Sequence, residues 1–233
     1  MKQKLLNHAD QMLARAGNKL LNRPRGDSFN IIDMSFLRSG WESARYYELH
    51  MSEARLFDDH LQLISHALTL AKPGGLCLEF GVATGSTISH IASHWRGPVY
   101  GFDSFEGLPE NWYGKFRAGS FAGDPPLVPP NVTLLKGWFS DTLPEFVGQH
   151  REPVSFLHVD CDLYSSTRTI FECLAAKMLD GCVIVFDEFF NYPGWKRHEY
   201  KAFKEFVALH GFDYRYEGLV PGHQQVCAVL QRR

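Results

Sequence analysis

Residues 78–86 read Leu-Glu-Phe-Gly-Val-Ala-Thr-Gly-Ser and join an apolar, strand-like run to a segment with helical spacing. Gly81 permits a tight turn, and Gly85 lets a ligand approach the backbone where the helix begins. The spacing E-x-G-x-x-x-G differs from the G-x-G-x-x-G that dinucleotide enzymes use to cradle a pyrophosphate. The stretch therefore indicates a ligand-binding turn of another kind, and the alternative is a plain strand-to-helix turn.

The same strand-and-helix unit recurs along the chain after this turn. Short apolar runs predict strands, and the helically spaced stretches between them predict helices. Strands are expected at residues 76–81, 99–102, 132–136, 154–159 and 182–186, and helices at 86–94, 141–149, 165–179 and 199–210. Repeated units of this kind predict a Rossmann-like α/β fold, with a mostly parallel sheet and helices on both faces. Two late strands, near 212–216 and 225–230, are expected to form a hairpin at the sheet edge.

The first part of the chain has a different pattern. Residues 1–22 carry apolar positions at helical spacing and predict an amphipathic helix, which is a candidate element for a homo-oligomer. Residues 26–53 are aromatic-rich and are expected to be irregular, and a helix is predicted over 55–71. We therefore divide the chain into an N-terminal helical or lid extension, residues 1–53, and a ligand-binding α/β domain, residues 54–233.

Composition excludes several classes of protein. The formal charge of −2 gives no basic field for nucleic acid and no polybasic patch for anionic lipid. No run of about 18 apolar residues is present, so no membrane span is expected. The five cysteines are scattered, odd in number and without a C-x-x-C pair, which favours a reducing, cytoplasmic setting. The expected partner is a small molecule.

Polar residues after the second and third strands complete a candidate cofactor site. Asp103 ends the second strand, where a carboxylate can accept both ribose hydroxyls of a nucleoside; alternatively it is an ordinary turn aspartate. Trp138 and Phe139 follow the third strand and either contact an adenine ring or pack in the core. The ligand that fits this order is S-adenosylmethionine. The residues predicted to bind this cofactor are Glu79, Gly81, Gly85, Ser86, Asp103, Ser104, Trp138, Phe139 and Asp160.

Paired acids follow the fourth and fifth strands. Asp160 and Asp162 come after residues 154–159, and Asp187 and Glu188 come after residues 182–186. Neighbouring parallel strands end at one edge of a sheet, so Asp160, Asp187 and Glu188 are expected to converge. Three repelling carboxylates in one cleft need a cation or a proton, and oxygen ligands suit Mg²⁺. Alternatively, Asp162 and Glu188 cap the following helices, and Asp160 binds the amino group of the cofactor.

Three longer motifs resemble the macrocin O-methyltransferase family, whose members methylate sugar hydroxyls of macrolide and aminocoumarin antibiotics. They are Gly-Phe-Asp-Ser-Phe-Glu-Gly-Leu-Pro-Glu at 101–110, His-Val-Asp-Cys-Asp-Leu-Tyr-Ser-Ser-Thr at 158–167 and Asp-Glu-Phe-Phe-Asn-Tyr-Pro-Gly-Trp at 187–195. The resemblance covers about residues 74–210. It implies a class I methyltransferase fold, in which a seven-stranded sheet has an antiparallel last strand.

The resemblance also implies roles for individual residues. The family's metal-binding acids fall on Asp160, Asp187 and Glu188, although members of the family often have two aspartates at the second pair. Residues 189–195, with Lys196, His198 and Glu199 beyond them, would line the acceptor side, or His198 and Glu199 are ordinary polar residues at a helix start. The domain at residues 54–233 would then be an S-adenosylmethionine-dependent methyltransferase domain.

These observations together predict a Mg²⁺-dependent O-methyltransferase that acts on a sugar or glycoside hydroxyl. Methyl transfer is an in-line displacement, so the enzyme has to align an oxygen behind the methyl group. Asp160 is the first candidate for metal ligand and proton acceptor, and Asp162 is the second candidate for the base. We interpret His158 as a core histidine. The alternative functions are a non-catalytic S-adenosylmethionine-binding protein and an NAD-dependent oxidoreductase. The long loop at residues 106–130 is expected to be a lid.

Overall fold

The computed structural model describes residues 29–232, so the helix predicted over 1–22 lies outside the described residues. Helix α1 spans Ile31–His50, and the side chain of Asn30 caps it by accepting a hydrogen bond from the backbone N–H of Ile32. The expectation that residues 26–53 are irregular is therefore wrong over most of this range. Of the aromatic residues that suggested irregularity, Tyr46 and Tyr47 pack against the main core, whereas Phe36 and Trp41 are exposed.

An eight-stranded sheet forms the centre of the molecule. Its strands are β1 (Arg55–Leu56), β2 (Leu76–Phe80), β3 (Val99–Asp103), β4 (Val132–Lys136), β5 (Val154–Val159), β6 (Met178–Phe186), β7 (Phe212–Leu219) and β8 (Val226–Arg232). The order is β1-β7-β8-β6-β5-β2-β3-β4, and β8 runs antiparallel to both of its neighbours. This arrangement confirms the predicted α/β class and the terminal hairpin. One strand more than expected is present because residues 55–56 pair with the end of β7 instead of starting a helix.

Five further helices cover the two faces of the sheet. They are α2 (His60–Leu70), α3 (Ser86–His94), α4 (Phe139–Gln149), α5 (Tyr164–Leu174) and α6 (Glu199–His210). Helices α2 and α3 bury one apolar cluster against the sheet, and α4, α5 and α6 bury a larger one on the opposite face. Helix α5 is shorter than predicted because a 3₁₀ turn at Ala175–Lys177 leads directly into β6.

Three adjacent strands position the candidate site. Phe80 of β2 pairs with Val159 of β5, and Val159 pairs with Phe186 of β6, so the three strands end level with one another. The backbone hydrogen bonds continue one residue further, from Asp160 N to Phe80 O at 2.8 Å and from Asp187 N to Val159 O at 2.9 Å. Apart from Ser155 and the paired Glu79 and His158, the buried parts of these three strands are apolar, and the polar residues of the site begin where the strands end.

The segment between β3 and β4 has neither helix nor strand, as predicted for the lid loop. It folds back on itself through two backbone hydrogen bonds, from Leu108 N to Ser120 O and from Gly119 N to Leu108 O, both at 2.9 Å. Phe105 anchors its start in the smaller apolar cluster. In the part of the chain that the structure describes, no helix combines the length and apolarity needed to span a membrane.

Candidate active site

The turn after β2 can be made only by glycine. Gly81 has a φ of +92°, and a Cβ atom on it would lie 1.7 Å from the carbonyl oxygen of Asp160. Gly85 has a φ of +79° and is the N-cap of α3; its Cβ would lie 2.8 Å from Pro126 of the lid loop. Both predicted glycines are thus required by the backbone. Gly81 borders the cavity described below, whereas Gly85 and Ser86 lie behind the turn, and their contact with a cofactor stays a prediction.

Asp103 is held rigidly at the end of β3. Its Oδ2 accepts hydrogen bonds from the backbone N–H groups of Val82 at 2.8 Å and Ala83 at 2.9 Å, and its Oδ1 accepts one from Phe105 at 2.7 Å. Asp103 is therefore a turn aspartate, which is the alternative given for it in the sequence analysis. Oδ2 uses both of its lone pairs in these bonds, but Oδ1 still has one free, so the same group can also accept a ribose hydroxyl.

These residues border a cavity of about 580 Å³, within the usual range for small-ligand sites. Besides Gly81, five of the predicted cofactor residues line it, namely Asp103, Ser104, Trp138, Phe139 and Asp160. Phe139 also meets Phe80 edge-on, with the ring centroids 5.1 Å apart. Phe139 therefore packs against the core and also lines the cavity, and its contact with an adenine ring stays a prediction.

Glu79 lies inside the sheet beside His158. Both side chains are almost completely buried, and His158 Nδ1 lies 3.0 Å from Glu79 Oε1. Burial alone would lower the pKa of His158, but its bond to the Glu79 carboxylate raises that pKa to about 9. His158 is thus a core histidine, as interpreted. Glu79 does not line the cavity, so its predicted contact with the cofactor stays a prediction.

Three acids converge at the ends of β5 and β6. Asp160, Asp187 and Glu188 each offer a carboxylate oxygen, and these oxygens all lie within 4.8 Å of one another. Burial, together with the charge of Asp187, raises the pKa of both Asp160 and Glu188 well above the usual value. The Oε2 atom of Glu188 is buried and has no hydrogen-bond partner among the described residues.

This donor set fits Mg²⁺. The cation prefers carboxylate oxygens, and its charge would offset the mutual repulsion of the three acids. The capping interpretation of the acids is not supported. Helix α5 has Leu163 as its N-cap without a side-chain capping bond, and the described residues that directly follow Glu188 form no helix.

Asp162 faces the same cavity from the turn after β5. It is buried, and its φ of +64° places a non-glycine residue in the left-handed region. Burial, with a further contribution from the charge of Asp187, raises the pKa of Asp162 to about 7. A carboxylate with a pKa near neutrality is well suited to accept a proton.

The rest of the cavity wall was not found from the sequence. One part is aromatic and comes from the lid loop, and another part carries hydroxyl groups from α5. The lining residues concerned are Trp112, Tyr113, Phe116, Phe121, Ser165, Ser166 and Thr169. Ser165 also donates a hydrogen bond of 2.6 Å to Glu110, which ties the lid loop to α5. The cluster of aromatic residues inside a Gly- and Pro-rich loop is the signal that could have identified this wall.

One implication of the family resemblance is corrected by the structure. Residues 189–195 were expected to line the acceptor side, but Phe189, Tyr192 and Trp195 are core side chains. Lys196 also points elsewhere, since its Nζ lies 3.1 Å from Glu42 of α1. The aromatic wall of the cavity is built by the lid loop instead.

Comparisons with known proteins agree with this architecture. Residues 78–189 match a family model described as a methyltransferase domain. The chain is similar to the structure of CalS11, a calicheamicin methyltransferase, at 20% identity and a TM-score of 0.58, over 90% of this chain and 96% of that one. It is also similar to the O-methyltransferase NovP, at 21% identity and a TM-score of 0.56, over 74% of this chain and 79% of that one. None of the curated proteins matches significantly. The fold is therefore the Rossmann-like α/β fold of class I methyltransferases.

Proposed function

We propose that this chain is an S-adenosylmethionine-dependent O-methyltransferase that methylates a hydroxyl of a sugar or glycosylated small molecule and uses Mg²⁺. The methyltransferase domain would comprise residues 54–233, with residues 1–53 as its extension. One observation carries the proposal: at one edge of the sheet, Gly81, Asp103, Asp160 and Glu188 border one cavity, and Asp187 lies close to the last two. A methyl donor and a cation-binding group can therefore meet within this cavity.

The cofactor would lie across the ends of β2, β3 and β4. Gly81 lets the ligand approach the backbone, and the free lone pair of Asp103 Oδ1 accepts a ribose hydroxyl. Trp138, Phe139 and Ser140 follow β4 and border the cavity, where an aromatic and polar wall suits adenine. The methionine end then points toward Asp160, which lies directly after β5.

Methyl transfer requires an acceptor oxygen in line with the sulfonium methyl group. The oxygen attacks the methyl carbon, the carbon–sulfur bond breaks, and S-adenosylhomocysteine leaves with the electron pair of that bond. The hydroxyl proton passes to Asp160 or Asp162, both of which line the cavity. When bound by Asp160, Asp187 and Glu188, Mg²⁺ would make the hydroxyl more acidic and fix its position.

The two unlike walls of the cavity support a sugar as the acceptor. A pyranose ring has apolar C–H faces and a rim of hydroxyls. The aromatic side chains of the lid loop can pack on such a face, while Ser165, Ser166 and Thr169 can hydrogen-bond the rim. CalS11, one of the similar structures, is described as a TDP-rhamnose 3′-O-methyltransferase, which agrees with this choice.

Calorimetric binding followed by a methyl-transfer assay tests the proposal. The protein should bind S-adenosylhomocysteine but not NAD, and it should methylate at least one member of a panel of glycosides in the presence of Mg²⁺. Rigorous chelation should stop turnover, and added Mg²⁺ should restore it. Binding of NAD would favour an oxidoreductase. Binding of S-adenosylhomocysteine without methyl transfer would favour a non-catalytic protein, and full turnover after chelation would exclude a role for the metal.

Replacement of Asp103 by asparagine should weaken the binding of S-adenosylhomocysteine about 10-fold to 100-fold. The carboxylate accepts three backbone N–H groups, and an amide group can accept with only one of its two ends. Calorimetry measures the effect. Asp124→Asn in the exposed part of the lid loop is the matched control and should leave the affinity unchanged. Equal affinities for the Asp103 variant and the parent protein would contradict this role.

Replacement of Trp112 by alanine should raise the KM for the acceptor about 10-fold and leave the affinity for S-adenosylhomocysteine unchanged. Trp112 lines the cavity from the lid loop, and truncation removes most of one stacking face. Leu127→Ala is the control, because Leu127 lies in the same loop and is fully exposed. An unchanged acceptor KM, or a loss of cofactor affinity alone, would place the acceptor elsewhere.

A further inference from the structure

Glu199, the first residue of α6, is a buried carboxyl that lies outside the cavity. Its exposed fraction is 0%, and its Oε2 accepts a hydrogen bond of 3.1 Å from the backbone N–H of Glu188. It does not line the cavity, so it does not touch the substrate. Burying a carboxyl is unfavourable unless hydrogen bonds or charges compensate for the lost water. The position of Glu199 at the N-terminus of a helix supplies part of this compensation.

The side chain faces the backbone of both acid-bearing turns. Burial raises the pKa of Glu199 well above its usual value, whereas the backbone N–H groups of Glu188 and Cys161 lower it. Cys161 separates Asp160 from Asp162, and Glu188 directly follows Asp187. One carboxyl group therefore lies between the turn after β5 and the turn after β6.

The surroundings of Glu199 are otherwise unfavourable for a negative charge. Asp162 and Asp187 both raise its pKa, and Glu199 in turn raises the pKa of Glu188. An apolar or neutral residue at this place would remove that repulsion. A carboxyl in such a position needs a compensating role, and the hydrogen bond from the backbone N–H of Glu188 to its Oε2 supplies one, while its Oε1 has no hydrogen-bond partner among the described residues.

The turn after β5 is also one that needs support. Asp162 has a φ of +64°, and the backbone N–H of Leu163 donates to the carbonyl of Cys161 at 2.6 Å, which closes a very tight turn. A non-glycine residue in the left-handed region costs on the order of 1–3 kcal/mol and persists only where the surrounding structure holds it.

We propose that Glu199 is a positioning residue that accepts a backbone hydrogen bond from Glu188 in the turn after β6, and thereby fixes Glu188 and Asp187 at the right distance from Asp160. The use that the protein makes of these acids rests on the proposed function. The geometric part, that Glu199 orders the turn after β6, applies to the protein without any ligand.

Hydrogen exchange of the ligand-free protein tests the geometric part directly. In Glu199→Ala, the amides at residues 187–190 should exchange at least about 10-fold faster than in the parent protein, because the acceptor of the Glu188 amide is removed. Glu199→Gln keeps one acceptor oxygen and should recover most of the protection of residues 187–190. Glu205→Ala is the matched control, since Glu205 lies on the same helix but is exposed and paired with Lys201.

Calorimetric titration with Mg²⁺ gives a second readout that does not depend on activity. Affinity should fall about 10-fold to 100-fold in Glu199→Ala, a typical effect of losing a group that orients metal ligands, and less in Glu199→Gln. If the parent protein binds no Mg²⁺, the metal part of the proposed function fails. The hydrogen-exchange data alone then test whether Glu199 is a positioning residue. Unchanged exchange in Glu199→Ala would overturn the proposal. A uniform increase over all peptides would also overturn it, because it would show a role in overall stability only.

Discussion

Replacement of Gly81 by alanine is expected to abolish binding of S-adenosylhomocysteine and to destabilise the protein by about 4 kcal/mol or more, a size reserved for severe backbone or core defects. Two effects add. The φ of +92° is unfavourable for any residue with a Cβ atom, and that atom would lie 1.7 Å from the carbonyl oxygen of Asp160. The neighbour is backbone within the sheet, so it cannot rotate away. Either β2 and β5 separate at their ends, or the turn changes its path.

Thermal unfolding and calorimetric titration measure both effects of the Gly81 change. For a chain of this size the expected loss corresponds to a fall in Tm of roughly 8–16 °C. Gly148→Ala is the matched control: Gly148 lies in the exposed part of α4, and a Cβ atom there meets no atom within 4 Å. The control should be stabilised by about 0.5–1 kcal/mol. A Gly81 variant that melts and binds like the parent protein would contradict the described turn.

The sheet and the acid cluster could be predicted because they depend on local patterns. Strands buried on both faces are continuously apolar, so the first polar residue after each run marks the edge of the sheet. Asp103, Asp160 and Asp187 were placed in this way, and the structure has all three at strand ends. Glycine at position 81 gave the turn, because a tight reversal after a strand has few other solutions.

The remaining parts of the site depend on contacts between distant segments, which a single sequence does not specify. Helix α1 contains many aromatic residues, whose intrinsic helix propensity is modest. The helix forms because its packing against the core outweighs this low propensity. The aromatic side chains of the lid loop carry no periodicity that would orient them toward a cavity. From the sequence, Glu199 resembles a solvent-exposed residue at the start of a helix. Only the tertiary structure places its side chain within hydrogen-bond distance of the Glu188 backbone.

The acid cluster itself leads to the second large effect, because its members destabilise one another in the absence of a cation. The charge of Asp187 raises the pKa of Asp160, Asp162 and Glu188. Removal of this single charge should therefore relieve three repulsive interactions at once. The ligand-free Asp187→Asn protein is expected to be more stable than the parent by about 1 kcal/mol, or roughly 2–4 °C in Tm.

The same change should lower kcat/KM for methyl transfer by about 10³-fold, because the site would lose a metal ligand and with it the alignment and acidification of the acceptor hydroxyl. Addition of Mg²⁺ should raise the Tm of the parent protein but not that of Asp187→Asn. Binding of S-adenosylhomocysteine should persist in the variant, since Asp187 does not line the cavity. Thermal unfolding with and without Mg²⁺, together with steady-state kinetics, measures these effects.

Asp162→Asn provides the contrast that separates the metal ligand from the base. It should lower the rate by about 10²-fold or more through loss of a proton acceptor, and it should leave the Mg²⁺-dependent rise in Tm intact. Asp180→Asn, at the exposed beginning of β6, should change neither property by much. If Asp187→Asn kept both the parent rate and the Mg²⁺ response, the three carboxylates would not form a functional metal site. Their convergence would then be only a consequence of the level ends of β5 and β6, because strands in register deliver whatever residues follow them to the same place.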